Sequence, residues 1–200
     1  MGFLRLLAAG RTAVLDGFFS GLTYFGSELA FMAAALLMFW CIDKRQGYYV
    51  FLVGAFGTIC NQFLKLAFRI PRPWVLDPEF QIVEAARADA TGYSFPSGHV
   101  TAAAAGMTAL CLMRGRKLVV PSVIVVLLMA ISRNYLMAHY PSDVLFAAII
   151  GMASAFIAYY ITRLIFRLLE DHEDAGICAF VLNFDLPVRL PGGYKGRHEK

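Results

Sequence analysis

Five apolar stretches of helical length, at residues 22–42, 48–68, 97–113, 118–132 and 142–169, are separated by charged or proline-containing segments. A run of this kind in hydrocarbon has no water to satisfy its backbone. Each N–H and C=O must then bond within the segment, which an α-helix achieves. With 59% of its 200 residues hydrophobic, the chain is too apolar for an ordinary soluble domain. The sequence predicts an all-α, polytopic transmembrane helix bundle of about five spans.

Ahead of the first span, Phe3, Leu6, Leu7, Val14 and Phe18 recur at helix-like spacing, with Arg5, Arg11 and Asp16 among them. That pattern predicts an N-terminal amphipathic helix lying in the membrane interface over about residues 1–25, with a degenerate first span as the alternative. It does not read as a signal peptide, because the arginines interrupt the apolar run and no small-residue cleavage site follows. Composition changes sharply at Glu170, where Glu170, Asp171, Glu173 and Asp174 open a polar stretch. Residues 1–169 are expected to form one membrane-embedded domain and residues 170–200 a cytoplasmic tail, with His172 and His198 as solvated tail residues.

The net charge of +4 gathers near span ends, a distribution that suits membrane lipids and not nucleic acid. Cys41, Cys60 and Cys111 lie inside apolar runs and Cys178 in the tail, with neither a disulfide framework nor metal-ligand spacing. No metal or cofactor is expected.

Three polar stretches interrupt this apolar plan. The first to stand out runs from Ser132 to Asp143, between two apolar runs. His139 and Asp143 are four residues apart, and would stack on one face if the helix starting near Pro141 reaches back that far. A carboxylate bonded to one imidazole nitrogen fixes the tautomer and leaves the other nitrogen as base or nucleophile. Arg133 offers a planar fork suited to phosphate. Upstream, Pro96-Ser97-Gly98-His99 opens another apolar run: Ser97 can cap a helix, Gly98 lets the backbone approach a ligand, and the free N–H groups of a helix start form an anion site. Earlier still, Lys65, Arg72 and the flanking Pro71 and Pro73 close an apolar span. Asn61, Gln62 and Lys65 share about one helical face there, and polar groups at that depth usually point into a bundle.

In order along the chain, Lys65-x6-Arg72-Pro73, Pro96-Ser97-Gly98-His99 and Ser132-Arg133-x5-His139-x3-Asp143 resemble the three signature motifs of the type 2 phosphatidic acid phosphatase superfamily. The resemblance implies a metal-independent lipid phosphatase. In it Lys65, Arg72, Arg133, Ser97 and the backbone at Gly98 bind the phosphoryl group. His139 attacks phosphorus to give a phosphohistidine while Asp143 holds its ring, and His99 protonates the leaving oxygen and then activates water. A phosphatidic acid, phosphatidylglycerol phosphate, undecaprenyl diphosphate or lipid A phosphate would each suit such a site. A phosphotransferase using the same residues, and a non-enzymatic transporter or scaffold keeping an anion site, are the alternatives.

All three motifs fall on one side of the predicted bundle. The opposite side holds Lys44, Arg45, Arg114, Arg116, Lys117, Arg163 and Arg167, which the positive-inside rule makes cytoplasmic, so the site is expected to face the extracytoplasmic side of the cell membrane. The long segment 69–95, with a short helix at Glu84–Arg87, is expected to form a lid or access rim, because both its ends carry motif residues.

Overall fold

The structure, a computed structural model, describes residues 2–77, 79–88 and 90–171. Every regular element among them is helical: α1 (Gly2–Ala9), α2 (Ala13–Tyr24), α3 (Glu28–Cys41), α4 (Lys44–Phe68), α5 (Pro73–Leu76), α6 (Glu84–Arg87), α7 (Gly98–Arg114), α8 (Val119–Tyr135) and α9 (Pro141–Asp171), with a 3₁₀ turn at Arg116–Leu118. The expected tail lies almost wholly outside the described residues.

Local chemistry accounts for the helix starts. Thr12, Ser27 and Asp43 each accept a backbone N–H three residues on, capping α2, α3 and α4. At the far end of α4, Arg69 takes a left-handed conformation (φ 50°) and donates its N–H to the Lys65 carbonyl; Pro71 then keeps the helix from resuming.

Among the described residues, three helical segments are long and apolar enough to cross a membrane: Lys44–Leu76, Arg116–Tyr135 and Pro141–Leu168. A fourth is available if α2 and α3, bent by 42°, count as one broken span. The count is thus three or four, where the sequence suggested about five. Two expectations account for the difference. The run 22–42 is not one helix, because the backbone breaks at Phe25–Ser27 and Ser27 caps a new start. Helix α7 has only 17 residues, about 25 Å of rise against a hydrocarbon thickness near 30 Å. The N-terminal stretch is also two helices rather than one. Phe3, Leu6, Val14 and Phe18 do point outward, while the other side of α2 packs on α8.

Helix α7 sits at the centre, touching α3, α4, α8 and α9. Its alanines make this possible. Ala105 and Ala109 are buried against Ala155 and Ala158 of α9 and against α4, and Val100 is buried against Ala147. At Gly151 of α9 a Cβ would stand 2.4 Å from the Thr101 carbonyl oxygen and 2.8 Å from the Ala105 nitrogen, so the two backbones can approach only because glycine is there.

A second apolar layer lies at the end of the bundle where α8 finishes. Ile82, Val83, Ala86 and Ala90 pack on Tyr135 and Leu136, and Leu4 of α1 packs with Phe80 on Met137. The segment expected as a lid is therefore a buttress: its apolar side chains are buried beneath the turn that carries His139, and the Val83 N–H donates to the Leu136 carbonyl. The short helix expected at Glu84–Arg87 is present as α6.

Candidate active site

The three polar stretches meet at this end of the bundle. Lys65 comes from the last turn of α4 and Arg72 from the start of α5. Ser97, Gly98 and His99 form the start of α7, Arg133 is in the last turn of α8, and His139 and Asp143 bracket the start of α9. Lys65 interacts electrostatically with Arg72, Glu28 and Arg133, and His99 with Arg133, His139, Lys65 and Arg72, so the candidate cations and both histidines form one cluster.

His139 does not share a helix with Asp143, because α9 begins only at Pro141. A turn joins them instead. Asp143 Oδ2 accepts the Tyr140 N–H at 3.0 Å, and the Asp143 N–H donates to the Tyr140 carbonyl, a capping arrangement that turns the carboxylate back toward the preceding residues. The imidazole is fully buried, with Nδ1 2.7 Å from the Ser94 carbonyl oxygen. A carbonyl only accepts, so Nδ1 carries the hydrogen and Nε2 keeps its lone pair in the neutral ring. Burial holds this imidazole well below the ordinary histidine range; Asp143 opposes the shift and the Arg133 and Arg72 cations reinforce it. Asp143 Oδ2 lies 3.7 Å from Nδ1, too far for a hydrogen bond. The carboxylate is instead bonded by the Ser94 hydroxyl and the Tyr140 N–H.

Arg72 is buried and largely committed. Its guanidinium donates to the carbonyls of Gly92 (3.0 Å), Thr91 (2.7 Å) and Ala138 (2.9 Å). The nitrogen that bonds Ala138 is also 3.4 Å from His139 Nε2. Only Arg, with five donors in a planar fork, can tie three carbonyls and still point at the imidazole. Arg133 is likewise buried and donates to Thr23 Oγ1 at 2.6 Å. Ser97 occupies the N-cap position of α7 but makes no cap bond; its hydroxyl is buried and bonds nothing among the described residues. At Gly98 an added Cβ would meet Asn61 Oδ1 at 3.9 Å, an ordinary contact, so the glycine is not required by protein packing. Asn61 donates to the Pro96 carbonyl (3.4 Å) and to Thr101 Oγ1 (3.1 Å), holding the start of α7 against α4. Gln62, expected on the same face, is exposed.

Three residues that the sequence left unassigned matter here. Ser94 is buried and, just ahead of the second motif, ties the first to the third: its N–H donates to Ile70, its carbonyl accepts from His139 and its hydroxyl binds Asp143. Thr23 reaches Arg133 from α2, and nothing in an amphipathic pattern marks it. Tyr135 accepts the Thr12 N–H and donates to Asp16, fixing α2 to α8. No group of three or more His, Cys, Asp and Glu side chains suited to a metal occurs among the described residues.

Beside the site, a cavity of about 270 Å³ opens between α3, α4 and α7. Glu28, Asn61 and Gly98 stand at its polar end, and Phe31, Met32, Ala35, Phe51 and Ala105 line it deeper in the bundle.

Residues 46–167 match the family described as the PAP2 superfamily. Among curated proteins, the undecaprenyl-diphosphatase BcrC of Bacillus subtilis is 33% identical over 161 residues, covering 78% of this chain and 79% of that protein. An undecaprenyl-diphosphatase of Sulfolobus acidocaldarius is 23% identical over 159 residues, covering 78% and 75%. Among solved structures, that of LpxE from Aquifex aeolicus superposes with a TM-score of 0.69 at 25% identity, over 80% of this chain and 93% of that one.

Proposed function

The chain belongs to the PAP2 superfamily, and on that premise we propose that it hydrolyses a polyprenyl diphosphate at the membrane through a phosphohistidine on His139. It is a multi-pass membrane phosphatase of lipid phosphate esters. The substrate and the covalent step are the proposal. One observation carries it: a nitrogen with a defined lone pair, His139 Nε2, stands beside Arg72, close to the start of α7 from which the apolar cavity leads into the bundle. A groove of that size suits one apolar chain better than two, and the relative of 33% identity is named for an undecaprenyl diphosphate.

In this reading Lys65, Arg72, Arg133, the Ser97 hydroxyl and the N–H groups at Gly98 bind the terminal phosphoryl oxygens, because phosphoryl transfer needs chiefly positioning and charge stabilisation. His139 Nε2 attacks the terminal phosphorus as its bond to the bridging oxygen breaks. His99 gives that oxygen a proton, and the lipid monophosphate leaves. His99 then takes a proton from water, which attacks the phosphorus and releases inorganic phosphate and free His139. Asp143, 3.7 Å from Nδ1, stabilises the cationic phosphohistidine. The basic residues at the opposite end of the bundle favour an extracytoplasmic site, and residues 1–169 act as one domain.

The test is phosphate release by purified protein in mixed micelles containing a chelator, at matched surface concentrations of polyprenyl diphosphate, polyprenyl phosphate, phosphatidic acid and glycerol phosphate. The diphosphate should give the highest kcat/KM, with a trapped phosphoenzyme on His139. Equal efficiency with glycerol phosphate would overturn the lipid assignment. Activity lost to the chelator and restored by a divalent cation would overturn the metal-independent mechanism. A diphosphate has a good leaving group, so His99→Ala should slow phosphoenzyme breakdown more than its formation.

A further inference from the structure

The signature motifs contain a nucleophilic histidine and an aspartate, and sequence alone pairs them directly. The geometry does not. Nδ1 of His139 and Oδ2 of Asp143 are 3.7 Å apart, outside hydrogen-bond range, and His139 lies before the first turn of α9. Between them stands Ser94, from the extended segment ahead of the cis peptide Phe95–Pro96. It uses all three of its polar groups: N–H to Ile70 at 2.8 Å, carbonyl to His139 Nδ1 at 2.7 Å, and hydroxyl to Asp143 Oδ2. All three residues are buried, so no solvent competes for these bonds.

We infer that Ser94 is the positioning residue of the reaction, its carbonyl selecting the His139 tautomer and its hydroxyl fixing Asp143 beside the ring. The inference rests on His139 as the nucleophile. It makes the support a three-member chain, Asp143–Ser94–His139, rather than a pair. The carbonyl needs only a correctly placed backbone, which the Ile70 bond and the neighbouring proline provide. The hydroxyl is what a side-chain change can remove. Without it Asp143 keeps the Tyr140 N–H and the weaker 3.4 Å contact from Ser142, and is free to swing within the turn. The charge that must face the phosphohistidine then loses its fixed place. Ser94 is directed at Asp143 and the ring's far nitrogen, away from Nε2, so substrate binding should be little affected.

Ser94→Ala, Asp143→Asn and the double variant are purified, checked for folding by thermal unfolding, and assayed on polyprenyl diphosphate with quenched phosphoenzyme measured alongside. Ser94→Ala should lower kcat and the rate of phosphoenzyme formation about 10- to 100-fold, as losses of outer-shell partners commonly do, with KM nearly unchanged. The double variant should be no slower than Asp143→Asn alone, because Ser94 acts through that carboxylate. A Ser94→Ala enzyme with the parent's kcat, or a loss that multiplies onto that of Asp143→Asn, overturns the inference. Should alanine prevent folding, Ser94→Cys serves, with its weak donor: parent-like turnover again overturns it. A parent enzyme that turns over without phosphate on His139 would overturn the nucleophile itself, a result distinct from an unchanged Ser94 variant.

Discussion

The α7–α9 contact and the polar layer above it are packed by opposite means. Between the helices the buried side chains are small: Ala104, Ala105 and Ala109 meet Gly151, Ala155 and Ala158. In the polar layer they are large and polar, with Arg72, Arg133, His139 and Asp143 all buried. The difference follows from the solvent. Lipid chains are as apolar as leucine, so burying leucine gains little in a membrane, while close backbone approach gains dispersion. The bulky residues accordingly face outward, as Leu145, Ile149 and Ile157 of α9 do. A buried guanidinium must bond to something, and here it bonds to carbonyls of irregular backbone: Arg72 to Thr91, Gly92 and Ala138. The same bonds satisfy the loops and aim the cation. Shape sets the spacing of the helices, and hydrogen bonds set the positions of the reacting atoms.

Four substitutions test that division, from the largest expected effect to the smallest. His139→Ala should lower kcat by about four orders of magnitude, as loss of a nucleophile does, with the unfolding temperature little changed; activity within tenfold of the parent would remove His139 from its role. Arg72→Lys keeps the charge but loses the fork. About 10²- to 10³-fold in kcat should go with it, the scale for a lost transition-state donor, and protease digestion of segment 79–95 should quicken. If only stability falls, Arg72 belongs to the scaffold and not to the chemistry. Gly151→Val should act in reverse. The Cβ collides with α7 backbone, costing about 1–3 kcal/mol of stability, the usual scale of overpacking, while the folded fraction loses less activity than Arg72→Lys does. Thr23→Val leaves a buried Arg133 N–H without its 2.6 Å partner. A cost of about 1 kcal/mol is expected, roughly fivefold in kcat/KM; no change would mean α2 merely packs beside the site.

Reading the motifs in the sequence located the site, because a basic helix end or a His–Asp pair alone has a bland explanation and three such stretches in this order do not. Eight residues were named that way, and the structure gathers them at one end of the bundle. What the sequence could not show was how they are held. Ser94 and Thr23 are small hydroxyl residues whose importance lies in what they touch across 45 and 110 positions of chain. The buttress over 79–90 was missed for a related reason. Ile82, Val83, Ala86 and Ala90 recur at three- and four-residue steps, but over a stretch whose helix is only four residues long, and only contact with Tyr135–Met137 makes them a core.

The sequence by itself determined the helical class, the short helix at Glu84–Arg87 and the residue types of the chemistry. Each depends on neighbours within a few positions or on the solvent around a segment. The tertiary structure alone decided that run 22–42 breaks, that Arg72 spends most of its donors on the protein's own backbone, and that Asp143 reaches His139 by way of Ser94. A hydrogen bond is decided over tenths of an ångström between groups far apart in the chain, and no periodicity or spacing carries that distance.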